Sequence, residues 1–160
     1  MADIVIDGFV RVAFVPTIAS IAAPTTTELN AGTLLHDTLI PGGLEGFEPS
    51  PGEVDNTAFG ATFDTKLPGV SSFSGTRLML KKQDGTDTIY NLLVVFNTAG
   101  YIVVRRNLAN TTAWASTQKV EVYPIRTGAF APVAPERNTV SKYWVATPIS
   151  ASPNMNAAVA

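Results

Sequence analysis

Apolar and polar residues alternate with a period of two in several short segments, and this pattern predicts β-strands with one face against a core. The clearest segment is Thr57–Thr65, whose apolar face carries Phe59 and Phe63. Gly75–Lys82 alternates in the same way, and we expect the two segments to pair. Further strands are predicted at Phe9–Val15, Thr33–Ile40, Tyr101–Arg105, Lys119–Tyr123 and Thr139–Ile149.

One segment follows the helical period instead. Ile89, Leu92, Leu93 and Phe96 share one face of a helix, for which Thr86 is the predicted N-cap. Because other segments read mostly as strands, we expect this to be the single substantial helix, packed on a sheet. The run 93–96 fits a buried strand equally well.

The remaining segments are predicted to be short or irregular. Thr25–Gly32 has capping residues and a glycine stop, which predict a short helix. Pro41–Asp55 is predicted to be a long irregular loop, Lys66–Gly69 a turn and Thr127–Asn138 an extended linker. We therefore expect a mainly β fold, an antiparallel sandwich or barrel of about six to eight strands with one flanking helix. It would span residues 1–148, followed at 149–160 by a small-residue tail that is either loose or ordered by a partner.

Composition suggests that much of the surface is covered by other molecules. Charged residues make up only 15% of the chain, whereas about 25% is typical. A surface so poor in charge is a risk for a soluble monomer, so we expect copies or partners to bury part of it. The net charge of −2 argues against a generic duplex-DNA or anionic-membrane binder.

Charge is unevenly distributed along the chain. Residues 1–65 contain nine acidic residues and one basic residue, whereas residues 66–160 contain four acidic and ten basic residues. If the halves occupy opposite surfaces, copies will favour head-to-tail contact. If the halves interleave in the fold, this dipole disappears.

Candidate catalytic chemistry is sparse. There is no cysteine and the only histidine is His36, so the sequence offers no thiolate site and a Ser-His-Asp triad would have to use that one residue. The acids at Glu45, Glu48, Glu53 and Asp55 do not have the spacing of a calcium loop. We expect neither enzymatic activity nor a cofactor. The N-terminal residues carry acids where a signal peptide has bases, so we expect assembly in a cytoplasm.

Three stretches together resemble a known family: Pro24–Gly32, Asp84–Arg106 and Tyr123–Lys142. With the order of elements, they are similar to the major tail (tail tube) proteins of long-tailed, non-contractile bacteriophages infecting actinobacteria. The resemblance spans nearly the whole chain. It implies a β-sandwich or barrel-like subunit with a flanking helix, assembled into stacked hexameric rings. Sheets joined edge to edge would surround a lumen that passes DNA.

The same resemblance implies a location and partners. The protein would be a virion tail component assembled in the cytoplasm of the bacterial host, without membrane binding. Its partners would be further copies of itself, the tape measure protein, the tail terminator and distal tail or baseplate proteins. DNA would pass through the lumen without specific recognition.

Site residues are assigned as hypotheses on this basis. A DNA conduit favours a polar or mildly acidic lumen, since each basic contact adds affinity for phosphate. We expect the small and polar face of Thr57–Thr65 to line it, that is Ala58, Gly60, Thr62 and Asp64. Candidate contacts between subunits or rings are Gly42, Gly43, Glu45, Glu48, Glu53, Asp55, Arg105, Arg106 and Arg137.

Two other classes of protein fit the same sequence. A head-tail joining or capsid-decoration protein would share the β architecture and low charge but would not stack on itself. A carbohydrate- or receptor-binding β-sandwich would use exposed aromatic residues, for which Tyr143 and Trp144 are candidates.

Overall fold

The structure is a computed structural model that describes residues 3–160. Within those residues the fold is mainly β, with eleven strands and two short helices. The strands are β1 (Arg11–Val15), β2 (Thr33–Leu34), β3 (Leu39–Glu45), β4 (Glu53–Asp55), β5 (Lys66–Pro68), β6 (Arg77–Lys81), β7 (Ala99–Arg105), β8 (Lys119–Arg126), β9 (Phe130–Pro132), β10 (Lys142–Ala146) and β11 (Asn154–Ala158). The helices are α1 (Thr26–Asn30) and α2 (Thr88–Leu93).

The strands form two main sheets and one separate hairpin. The large sheet has five strands in the order β11-β8-β7-β1-β2, and the small sheet has four in the order β3-β6-β10-β9. Strands β4 and β5 make a two-stranded hairpin outside both sheets. All pairings between these strands are antiparallel. The predicted antiparallel β-sandwich is confirmed, and no closed barrel forms within residues 3–160.

The space between the two sheets is the main core. Alternate residues of the large sheet, such as Phe14 and Ile102, meet alternate residues of the small sheet, such as Leu80 and Val145. Phe14 lies so close to Gly100 that an added Cβ there would be 2.3 Å from its ring. Burial along these strands alternates with the same period of two as the apolar residues in their sequence.

A second core covers the other face of the large sheet. Val103 and Val122 point to this side, where α1 contributes Leu29 and the C-terminal segment contributes Val159. The large sheet is thus buried on both faces, whereas the small sheet is buried on one. This difference leaves the outer face of the small sheet open.

A polar side chain caps the N-terminus of each of the two helices. Thr25 caps α1 in a capping box, in which its backbone N–H donates to Glu28 Oε2 at 2.8 Å and its Oγ1 accepts from Glu28 N at 3.2 Å. The short helix predicted at Thr25–Gly32 is confirmed. The cap of α2 is Asp87, one residue after the predicted Thr86. This helix has only six residues, so the prediction of a single substantial helix is wrong.

Several predicted strands are confirmed and others are wrong. Gly75–Lys82 contains β6, Tyr101–Arg105 is the greater part of β7, and Lys119–Tyr123 is the start of β8. Thr33–Ile40 is two strands separated by a turn, and the predicted loop Pro41–Asp55 contains most of β3 and all of β4. The pattern missed these because β3 has a glycine pair and an irregular register in its middle.

The largest error concerns Thr57–Thr65, which is the irregular loop of the β4–β5 hairpin. The predicted turn at Lys66–Gly69 is instead β5, and β6 pairs with β3 and β10.

The C-terminal residues are not a loose tail, because β11 pairs with β8 and buries Ala157. The run 93–96 ends α2 and turns into β7, and Phe96 is exposed.

Candidate assembly surfaces

The β4–β5 hairpin is held together by its own polar contacts. Lys66 Nζ lies 2.6 Å from Glu53 Oε2, across the strand pair. In the loop, Thr57 N donates to Asp55 Oδ1 at 2.8 Å and Thr65 N donates to Thr57 Oγ1 at 2.9 Å. The hydrogen bonds from Thr57 lower the pKa of Asp55 below its ordinary value. The hairpin therefore has a defined shape without packing on either sheet.

At the base of the hairpin the two chain segments approach closely. An added Cβ on Gly52 would lie 2.3 Å from the carbonyl oxygen of Val70, so this crossing requires glycine. Gly69 N donates to Gly52 O at 2.7 Å, and Ser50 bridges Ser72 just beyond. These backbone contacts hold the two chain segments together at the base of the hairpin.

The hairpin carries a set of exposed apolar side chains. Phe59 is fully exposed and Phe63 is 78% exposed, both in the loop. Val54, Leu67 and Val70 are exposed on or beside its strands. Large apolar side chains grouped on one projection are typical of an interaction surface. We call this set, Val54, Phe59, Phe63, Leu67 and Val70, the apolar hairpin surface.

A shallow groove lies on the same chain beside the hairpin base. It runs between residues 70–73 and 149–155, and its apolar lining includes Phe73, Ile149, Pro153 and Met155. Val70 of the apolar hairpin surface also lines this groove, whereas Phe59 and Phe63 at the hairpin loop do not.

The outer face of the small sheet, which we call the open face, is partly exposed: its side chains are half-buried, and residues 133–141 line a groove with Met79 and Lys142. Arg77, Met79 and Lys81 of β6 point outward because Leu78 and Leu80 point into the core. Across the ladder, Met79 stands opposite Trp144 and Lys81 stands opposite Lys142. The Arg77 guanidinium lies 5.8 Å from the centre of the Trp144 ring and its Nε pairs with Glu45.

The edges of the small sheet complete this surface. In the part of the chain that the structure describes, β3 pairs only with β6, and β9 pairs only with β10. Each therefore presents one side of its backbone without a strand partner. Unpaired strand edges are the usual sites of pairing with another chain.

The predicted site residues fall into different places. Ala58, Gly60, Thr62 and Asp64 all lie exposed in the hairpin loop, so the strand face on which their assignment rested does not form. Glu53 and Asp55 lie in β4 and bond within the hairpin. Gly42 is exposed within β3, Glu48 is exposed three residues after it, and Arg137 is exposed between β9 and β10.

Three predicted contact residues are engaged within the subunit. Gly43 is buried, and a Cβ there would lie 2.5 Å from the backbone oxygen of Met79. Glu45 pairs with Arg77, as described above. Arg106 donates to both carboxylate oxygens of Glu121, at 2.8 and 3.1 Å.

Arg105 is not available to another subunit, because its side chain is fully buried. Its guanidinium donates to the carbonyl oxygens of Ala109 and Thr112 at 2.7 and 2.9 Å and lies over the ring of Trp114. Burial, and then the neighbouring charge of Arg11, lower the pKa of Arg105 from its ordinary value. We withdraw it from the set of candidate contacts.

Comparison with known proteins decides the family. A family model described as phage tail tube protein matches residues 1–160, the whole chain. The chain belongs to the phage tail tube protein family. It is therefore a structural protein of the virion tail, from a family that assembles into a tube with other tail components. No curated protein matched the chain in a separate search.

Membership of the tail tube family removes much of the support for the carbohydrate-binding alternative. The positions of the aromatic residues also argue against it. Tyr143 is buried, with its ring 5.0 Å from that of Tyr90, so it does not join Trp144 in a stacking platform. Within residues 3–160 no group of three metal-ligating side chains forms, and no helix there is long and apolar enough to span a membrane.

Part of these surfaces could be predicted from the sequence. The alternation in Gly75–Lys82 already placed Arg77, Met79 and Lys81 on one face. It did not show that Lys142 lies opposite Lys81, because this register joins residues 61 positions apart. Nor did it show that Phe59 and Phe63 are exposed, since the same alternation suits a core-facing strand.

Proposed function

We propose that this tail tube protein assembles into hexameric rings that stack into the hollow tube of a long, non-contractile phage tail, through which DNA is delivered. The observation that carries the proposal is the family match along the whole chain. The hexameric ring and the non-contractile tail type rest on the resemblance stated above. The unpaired sheet edges and the apolar hairpin surface support self-assembly.

The small sheet is the best candidate to form the wall of the ring. Its edges β3 and β9 lie at opposite ends of the strand order, so β9 of one copy can pair with β3 of the next. Closing the ring in this way satisfies the backbone groups that each edge leaves free. The large sheet, buried on both faces, would form the outer layer.

This arrangement gives a new assignment of the lumen. The open face of the small sheet would face inward, with Arg77, Met79, Lys81, Lys142 and Trp144 along it. It replaces the earlier assignment of Ala58, Gly60, Thr62 and Asp64, which lie on the projecting hairpin loop.

The hairpin is the best candidate for contact between stacked rings. Its loop presents Phe59 and Phe63, and the groove beside Phe73 and Met155 offers an apolar surface at the hairpin base. A projection and a groove on one molecule make a head-to-tail contact, which propagates as a stack. The exposed Glu48 and Arg137 remain candidate charged contacts.

The tape measure, tail terminator and distal tail proteins are proposed partners inside and at the ends of the tube, with assembly in the host cytoplasm.

The double variant Phe59→Ser/Phe63→Ser tests the stacking role. We expect it to remain folded, because neither ring packs in the core, and to lose tubes in electron micrographs. Phe96→Ser is the matched control, since Phe96 is 76% exposed at the end of α2. Normal tubes from the double variant would contradict the role of the hairpin, as would equal loss of tubes in the control.

A further inference from the structure

The turn before α2 contains Asp84–Gly85, one of the two Asp-Gly pairs of the chain. Gly85 N donates a hydrogen bond to Asp84 Oδ1 at 2.8 Å. This bond places the side-chain carboxyl carbon of Asp84 beside the backbone nitrogen that follows it. Both residues are exposed, and an added Cβ on Gly85 would meet nothing within 4 Å. The surroundings therefore leave room for a reaction between these two groups.

We propose that Asp84 is a modification site, at which the chain converts itself to isoaspartate through a succinimide. The Gly85 nitrogen bonds to the side-chain carboxyl carbon of Asp84, and the carboxyl hydroxyl leaves as water with the amide proton. A second water molecule then opens the ring. Opening at the side-chain carbonyl restores Asp84, whereas opening at the backbone carbonyl leaves isoaspartate. One water leaves and one enters, so the conversion needs no oxidant, reductant or enzyme.

The other Asp-Gly pair, Asp7–Gly8, is exposed as well, so exposure does not distinguish the two. The backbone around Gly8 is held, because Gly8 O accepts from Asn110 N at 2.7 Å and Phe9 N donates to Ile6 O at 2.9 Å. In the described part of the chain, no backbone–backbone hydrogen bond involves residues 84–86. Asp84 therefore has both the contact with the next nitrogen and the freedom to turn that ring closure requires.

Isomerisation at Asp84 would alter the cap of α2. Asp87 ties the turn to the helix, because its carboxylate accepts from Gln83 N and from Tyr90 N, each at 2.8 Å. Isoaspartate adds one methylene to the backbone between Gln83 and Asp87, which lengthens the turn that the first of these bonds closes. Since α2 packs Leu93 into the main core, a weaker cap lowers the stability of the subunit. A virion protein is not replaced after assembly, so we expect the change to accumulate as a particle ages.

Peptide mapping of stored protein tests the proposal. The purified full-length protein is kept at neutral pH and physiological temperature for several weeks and is then cleaved after Lys and Arg, which separates residues 1–11 from Gln83–Arg105. Electron-transfer fragmentation distinguishes isoaspartate from aspartate at each position. We expect isoaspartate to form several-fold faster at Asp84 than at Asp7 in the folded protein, and at similar rates in protein stored in urea. Equal rates in the folded protein, a faster rate at Asp7, or an excess at Asp84 that persists in urea would overturn the proposal.

Asp84→Glu supplies the second measurement. Its longer side chain would have to close a larger ring, which forms far more slowly, and the exposed site should accept it without loss of stability. We expect wild type that carries isoaspartate to melt about 3 °C below fresh protein, because α2 loses part of its cap. Stored Asp84→Glu should melt like fresh protein. An equal fall in both proteins, or an unchanged melting temperature for the isomerised wild type, would overturn the assigned effect on α2.

Discussion

At the scale of single residues, Arg105 and Arg106 show how neighbours of one type acquire different roles. Adjacent residues of a strand point to opposite faces, and Arg106 directly follows Arg105, the last residue of β7. The sequence did not indicate which side residues 107–118 would cover. The structure buries Arg105 under that connection, with Trp114 against it, and leaves Arg106 half-exposed beside Glu121.

Replacing each arginine separately should reveal this difference. We expect Arg105→Ala to lower the free energy of unfolding by roughly 3 kcal/mol, because buried carbonyl groups lose a charged donor. Arg106→Ala breaks a half-exposed ion pair and should cost about 0.5 kcal/mol. Urea unfolding of both variants measures the two values. Similar losses would show that Arg105 does not organise the 107–118 connection.

At the scale of elements, the alternation of apolar and polar residues predicted a strand correctly where another layer covers the apolar face. Gly75–Lys82 contains β6 because the large sheet packs on Leu78 and Leu80. Thr57–Thr65 has the same pattern but no layer to cover Phe59 and Phe63, so it remains a loop. Local capping was readable at Thr25, since the residues of a capping box are close in sequence. Which segments pack together depends on contacts far apart in the chain and was not readable.

The cap of α2 predicts a pH dependence. Burial raises the pKa of Asp87, but hydrogen bonds from the backbone of Tyr90 and Gln83 and the charge of Lys82 outweigh it, so this pKa lies below its ordinary value. The carboxylate therefore adds stability above about pH 4, and this stability is lost as the pH falls toward the folded-state pKa.

Asp87→Asn should consequently be less stable than the wild type at pH 6, with a smaller difference at pH 3. Urea unfolding at both pH values measures it. Asp84→Asn, an exposed site before the helix, is the control and should change little at either pH. An equal difference for Asp87→Asn at pH 6 and pH 3 would contradict the assigned role of the carboxylate.

The C-terminal strand gives the other prediction at this scale. Deleting residues 154–160 removes β11 and takes Ala157 and Val159 out of the second core. Loss of about 2 kcal/mol of apolar burial should lower the melting temperature by about 6 °C. Met155→Ala is the control, because Met155 is half-exposed and should have a small effect. An unchanged melting temperature after the deletion would indicate that β11 contributes little to the isolated subunit.

At the scale of the whole molecule, the two sheets divide structural and assembly roles. The charge asymmetry of the sequence does not separate by sheet, because β1 pairs with β7 and β3 pairs with β6, which joins the acidic and basic halves. The two sheets differ in burial and not in charge. The large sheet is covered on both faces, whereas the outer face of the small sheet is partly exposed.

Electron microscopy of the purified protein at increasing concentration tests the central claim, self-assembly into a tube, most directly. The account predicts hollow tubes with regular cross-striations from stacked rings, each ring with six subunits in end-on views. Single closed rings that never stack, at any concentration, would contradict it and favour a head-tail joining protein.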